Sequence, residues 1–288
     1  MRDAEFPSIY RAADTASAES QRHFFLALGL NYICLILAAT LSVVNINSQI
    51  FAAIQVIPLL ATLAITIYLG SKQPQRNWYG ARALAESIKT VSWRFMMRAA
   101  PFDGDLSRAE RKFKEHLSGI ISSNKKISEI SLDCFGGAPL TDKMRQVRCL
   151  NLGERISFYL RARIDNQHSW YMSKAGINRK LSRRWFFVLV MVNCLALFFA
   201  LGKVLSPQGN YWPADVLVAV AGAVMAWMQS KRFQELSAAY TLTAHEIGLL
   251  RIGIEGIDSE KDFSKFVSDA ESAFSREHTQ WQARLDVA

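Results

Sequence analysis

A chain of 288 residues has room for two repeats of about 140 residues, and half of its residues are hydrophobic. Lys and Arg number 34 against 25 acids, a net charge of +9 that by itself suggests nucleic acid or an anionic surface as partner. The four cysteines, Cys34, Cys134, Cys149 and Cys194, are scattered, which excludes a metal-type spacing and, in a reducing compartment, argues against disulfides.

Residues 1–23 read as a short amphipathic lead-in that mixes Arg2, Arg11 and Arg22 with Asp3, Glu5, Asp14 and Glu19. That mixture, and the length of the apolar core that follows, do not fit a secretory signal. From Phe24 to Val44 there is no charged residue, and after the polar link Asn45 to Gln49 the same holds from Ile50 to Leu69. About 20 apolar residues at ~1.5 Å each match the ~30 Å hydrocarbon core of a bilayer, where the backbone must be helical to satisfy itself. The sequence therefore predicts a tight transmembrane hairpin.

Beyond it, Gly80 to Met97 is predicted helical, with Leu84, Ile88, Val91 and Phe95 on one face and Arg82, Glu86, Lys89 and Trp93 opposite, Pro101 ending the element. A second amphipathic helix spans Leu106 to Ile121, its charged face read as solvated. Residues Ser122 to Pro139, with Phe135-Gly136-Gly137, read as a linker. Thr141 caps a long helix running to about Ala175, with Ile156, Tyr159, Leu160 and Trp170 on one side and Arg163 and Gln167 between them.

A second hairpin follows, Trp185 to Gly202 and roughly Tyr211 to Gln229, about 160 residues after the first. Asn31 and Asn193 fall at nearly the same repeat offset, and each hairpin leads into a polar helix carrying a glutamate, Glu86 and Glu246. Tyr211 and Trp212 suit a headgroup belt, and Pro213 suits a first helical turn. Ala219, Ala223 and Ala226, with Gly222 beside them, form a small-residue packing stripe. Helices are then expected from Lys231 to about Ile252 and from Ser259 to about Leu285, the last aligning Phe263, Phe266, Val267, Ala270, Phe274 and Trp281.

Charge distribution sets the expected orientation. Arg179, Lys180, Arg183 and Arg184 precede the third span, Lys72 and Arg76 follow the second, and Lys231 and Arg232 follow the fourth, whereas the hairpin links carry only Lys203. The positive-inside rule puts both termini and the central region in the cytoplasm. Contact of these collars with anionic lipid heads accounts for much of the excess charge, so no nucleic acid is expected as partner.

No catalytic set emerges. The five histidines, His23, His116, His168, His245 and His278, are dispersed, and neither a P-loop lysine nor a nucleophile elbow is present. The expectation is a protein that is not an enzyme and that needs no cofactor or metal. Inside the spans, Gln55, Thr62 and Thr66 share a face with Leu59, while Asn31, Ala38 and Ser42 share another. Such faces turn away from lipid, either to line a water-accessible path or to hydrogen-bond between helices. Asn193 is the matching polar group of the second hairpin. Pro58, at mid-span, is a candidate gate hinge or a packing kink. Arg82, Glu86, Lys89 and Trp93 are candidates for a cytoplasmic ligand site or interface, against the simpler reading of an ion-pair face.

Several stretches carry a resemblance. Arg76-Asn77-Trp78-Tyr79, then Arg82-Ala83-Leu84-Ala85-Glu86-Ser87-Ile88-Lys89 and Trp93-Arg94-Phe95, follow the first hairpin. Glu154-Arg155, Tyr159, Arg163-Ile164, Gln167 and Trp170-Tyr171 precede the second, and Glu277-His278, Trp281 and Arg284 close the chain. In these stretches the chain resembles the bacterial SLATT family, in a tandem form. The resemblance implies two-transmembrane units associated with nucleotide-second-messenger systems, acting as pore-forming or membrane-perturbing effectors in defence against phage. It carries over no ligand-binding residue.

The sequence thus predicts an all-α integral membrane protein of the bacterial inner membrane, with two transmembrane hairpins and a helical cytoplasmic bundle. It divides into units 1–135 and 136–288. The expected function is an oligomeric pore-forming effector gated by a cytoplasmic signal and causing growth arrest or cell death. Its expected partners are the bilayer, further copies of itself, and a nucleotide second messenger or sensor protein. A constitutive ion or small-solute transporter and a non-conducting scaffold are the alternatives.

Overall fold

The computed structural model describes residues 1, 3–44, 46, 48–123, 138–206 and 213–286, with side chains as far as residue 275. Cys134, the Phe135-Gly136-Gly137 linker, Tyr211 and Trp212 lie outside the described residues, as do the side chains of Glu277, His278, Trp281 and Arg284. Among the described residues there are helices and no strand.

The first helix, α1 (Ser8–Val43), joins the lead-in and the first apolar stretch in one continuous element. Next, α2 (Gln49–Lys72) ends at Gln73, whose φ of 44° is left-handed and whose N–H donates to the Leu69 carbonyl. Pro74 then opens α3 (Pro74–Met96), since proline at a first turn forfeits no hydrogen bond. The second hairpin repeats this device: α8 (Ala214–Lys231) stops at Arg232, φ 50°, whose N–H donates to Met228, and α9 (Phe233–Gly253) starts at once. Neither stop is a glycine, so neither announces itself in the sequence.

α3 ends before Pro101. Arg98 takes a φ of 53°, its N–H donates to Phe95, and that of Ala99 donates to Arg94, the paired bonds of a Schellman stop. α4 (Leu106–Ser123) buries Ala109, Phe113 and Leu117 but leaves Leu106 exposed. Thr141 caps only a short helix, α5 (Asp142–Arg148). The long helix restarts at Asn151, where Asn151 and Glu154 form a reciprocal capping box that opens α6 (Leu152–Tyr159). A π turn (Leu160–Asp165) follows, and α7 (Asn166–Leu205) continues far beyond the predicted end at Ala175. α10 (Glu260–Asp286) completes the chain, with the Ser259 hydroxyl accepting from the Asp262 N–H.

The chain divides into two compact units, each drawing on both halves of the sequence. Unit 1 comprises 1–22, 74–169 and 245–288; unit 2 comprises 23–73 and 170–244. In unit 1, α10 lies along α3, and the core gathers Phe6, Ile88, Trp93, Tyr159, Phe263 and Val267. Among the described residues, three helices are long and apolar enough to cross a membrane: Ser8–Val43, Gln49–Met96 and Leu152–Leu205, counting each with its continuous neighbour. Their most apolar windows are only 0–6% buried. Apolar surface on that scale, including Ile57, Leu60, Phe187 and Phe198, needs a lipid surrounding rather than water. The expected fourth span is helical as α8, but it is 18 residues long with Asp215 in its first turn and Lys231 in its last, and it is not among the three.

Candidate functional site

In unit 2 the polar side chains of the apolar helices, expected either to line a path or to hydrogen-bond between helices, mostly donate to backbone carbonyls. Gln55 does not stand free. Its Nε2 donates to the Leu41 carbonyl at 2.7 Å, tying α2 to α1. Thr62 donates to the Pro58 carbonyl and Thr66 to that of Thr62, at 2.9 and 2.8 Å, so both hydroxyls are satisfied by their own helix. Leu59, on the same face, is 54% exposed, while Pro58 is buried. Asn193 is exposed and donates to the Leu189 carbonyl one turn back. Asn31 is the contrast: its Oδ1 is buried and lacks a partner among the described residues. The structure thus gathers Gln55, Leu59, Thr62 and Thr66 on one face of α2, and does not bring Asn31 and Asn193 to it by any hydrogen bond it records.

The basic collars are held in place locally. Lys231 sets its ammonium 3.2 Å from the Phe25 ring centroid and 4.9 Å from that of Trp227. Tyr32 and Ser230 share a hydrogen bond at 3.3 Å. Ala219, Ala223 and Ala226 are half-buried, and Gly222 is exposed.

In unit 1 the predicted polar face of α3 is not a solvent face. Arg82 and Glu86 form an ion pair at 3.2 Å. Lys89, one turn on, lies 5.6 Å from the Tyr10 ring centroid and 6.0 Å from that of Phe6. Burial lowers the pKa of Lys89, against the opposing pull of Glu86. Trp93 is wholly buried, with the rings of Phe6, Phe158 and Tyr159 within 6.2 Å of its own. The four residues run from a half-open ion pair at Arg82 into the core at Trp93. The helix packs against α10, α4 and α5, and Phe6, Tyr10, Phe158 and Tyr159 reach it from elsewhere in the chain.

The strongest electrostatic arrangement was not anticipated. Arg163, in the π turn, and Glu271, on α10, are 2% and 0% exposed. Arg163 donates through Nε at 2.8 Å and Nη2 at 2.7 Å to the two carboxylate oxygens, a bidentate pair. The Tyr159 hydroxyl donates to the same carboxylate at 2.9 Å. The guanidinium also lies 4.6 Å from the Phe274 ring centroid. Burial alone would lower the pKa of Arg163, but the carboxylate outweighs it and the net shift is upward. For Tyr159, burial and then the Glu271 charge both raise the pKa.

Two more buried arginines brace the turn after α3. Arg148 donates to the carbonyls of Phe95 and Gly104, both at 2.7 Å, and burial, then Arg98 and Arg155, bring its pKa down to about 10. Arg155 donates to Leu150 and Met97 and pairs with Glu260. These cations meet carbonyls at a helix C-terminus, where positive charge is favourable.

The signal for this network was present in the sequence. Arg155, Tyr159 and Arg163 recur every four residues, and they, not Ile156 and Leu160, are the buried side of their helix. Glu271 stands between Ala270 and Phe274 in the apolar stripe of α10, an acid where the pattern asks for an apolar residue. No group of His, Cys, Asp or Glu among the described residues is arranged to hold a metal ion.

Three helices of this length and apolarity among the described residues are those of a multi-pass membrane protein. The family model described as SMODS and SLOG-associating 2TM effector domain 3 matches residues 7–156, and that described as SMODS and SLOG-associating 2TM effector domain 1 matches residues 159–281. The chain belongs to the SLATT family, with two such domains in tandem. No curated protein and no solved structure matches it.

Proposed function

We propose that this chain is an oligomeric pore-forming effector of the bacterial inner membrane, opened by a signal received in unit 1 and arresting growth or killing the cell, in defence against phage. The observation that carries this reading is the presence of two matches to two-transmembrane effector domains in a single chain. On this reading α8 is a fourth crossing, its end charges Asp215 and Lys231 reaching the two headgroup layers. A pore needs several copies, since four spans with few polar faces give too little lining for an aqueous channel. The signal is a nucleotide second messenger or a sensor protein; the chain itself is not an enzyme and uses no cofactor. Leakage tests the reading. Purified protein in vesicles loaded with a self-quenched dye should run as a homo-oligomer and release dye when the signal is added. A strictly monomeric species in detergent and in nanodiscs, at all concentrations, sinks it.

The basic collars support a cytoplasmic position for both termini and unit 1. Cys149 is exposed and reports this directly. A membrane-impermeant maleimide should leave Cys149 unlabelled in intact cells and label it in inverted vesicles; labelling from outside intact cells contradicts the orientation.

One observation favours a second reading, a non-conducting scaffold. The hydroxyls of Thr62 and Thr66 and the amide of Asn193 are bonded to their own helices, as in spans that only pack. The same dye-release assay separates the two.

A further inference from the structure

The π turn at Leu160–Asp165 lies on the helical run that leads into an apolar span, Leu152–Leu205. A π turn holds one residue more than an α turn, is rare, and concentrates at functional sites. It persists where its surroundings impose it. Here the imposition has a named source. Across the widened turn, Tyr159, just before it, and Arg163, within it, both donate to one buried carboxylate. That carboxylate, Glu271, belongs to another helix, α10, whose grip on the same core includes Arg94 Nη2 donating to the Ser268 carbonyl at 3.1 Å and to the Ser272 hydroxyl at 2.7 Å.

We propose that Glu271 holds the π turn as a register switch. When α10 withdraws, the carboxylate leaves Arg163 and Tyr159, and Leu160–Asp165 relaxes to α geometry. The residue that was stored in the turn then joins the helix, which turns the apolar part of α7 about its own axis by about 100° and advances it by about 1.5 Å. A span rotated by one residue presents a different set of side chains to its neighbours. The consequence for gating rests on the effector reading above; the rotation itself does not.

Nitroxide scanning reads the rotation. Single cysteines are placed over Met191–Leu197 in the full chain, in lipid vesicles, with the four native cysteines replaced by alanine. The collision rate of each label with dissolved oxygen is highest on the lipid-facing side, so its maxima give the rotational phase of α7. The pair Arg163→Met with Glu271→Leu removes both buried charges and leaves neither uncompensated. In that protein the maxima should move by one position. Deleting Ala162 as well removes the stored residue and should return them to the parental positions, a rescue that a general loss of structure would not show. Where the double variant fails to fold, Glu271→Gln, of equal size and without the charge, is read in the same way. Unmoved maxima, or moved maxima that the deletion does not restore, overturn the switch. Moved maxima in a protein that never leaks remove the pore reading and leave the switch standing, while leakage with unmoved maxima does the reverse.

Discussion

Glu271→Ala is expected to cost unit 1 about 3–5 kcal/mol, because it strips the partner from a guanidinium that is itself buried. For a unit of this size that is a fall of roughly 10 °C in Tm. The loss disappears when the whole polar set goes. Tyr159→Phe, Arg163→Met and Glu271→Leu together leave no unpaired donor or acceptor, and the triple variant should lie within ~1 kcal/mol of the parent or above it. Thermal unfolding of the detergent-solubilised protein, followed by tryptophan fluorescence, checks both. Equal losses in the single and triple variants would mean that packing around Phe274 and Trp93, rather than charge compensation, sets the cost.

The second large effect belongs to α2. Leu59 is exposed on the face that carries Gln55, Thr62 and Thr66, and in the proposed oligomer a ring of Leu59 side chains would form an apolar constriction that excludes water. Leu59→Ser wets that ring, and its expression should leak ions and stop growth with no trigger. Gln55→Leu with Thr62→Val should lower conductance while assembly stays intact. Gln55 also ties α2 to α1 through Leu41, so a stripe that only packs would lose on the order of 1 kcal/mol per interhelical bond and disturb the oligomer instead. Single-channel recordings beside a size profile of the same samples tell the two apart. Unchanged conductance in a correctly assembled double variant moves the pathway away from this face, with Asn31, whose buried Oδ1 lacks a described partner, the next place to look.

What the sequence showed depended on how local the cause was. The apolar runs at Phe24–Val44, Ile50–Leu69 and Trp185–Gly202 were legible because composition over ~20 residues decides a span. Helix ends were less so. Pro101 and Thr141 were overrated as punctuation, and the true stops at Gln73, Arg98 and Arg232 are left-handed residues of types that rarely adopt that conformation. The Asn151–Glu154 capping box was readable from its spacing and marks the start of the helix that enters the membrane. The buried pair was hidden for a different reason. Arg163 and Glu271 are 108 residues apart, and nothing local says that a charged residue on an amphipathic helix will be the buried one. The four-residue spacing of Arg155, Tyr159 and Arg163 fits one face of an ordinary α-helix, so nothing local announced the π turn. On α3, the faces were assigned correctly around Leu84 and Ile88, but Trp93 belongs to the core because a second element covers its side.

Conduction by the proposed oligomer turns on one variant. Leu59→Ser, which needs no signal, tests it most directly when the purified protein is reconstituted into planar bilayers and its oligomeric state is read from the same preparation. Discrete current steps are expected from the variant, with a closed wild-type protein under the same voltage. Silent bilayers holding a correctly assembled Leu59→Ser oligomer would contradict the pore reading.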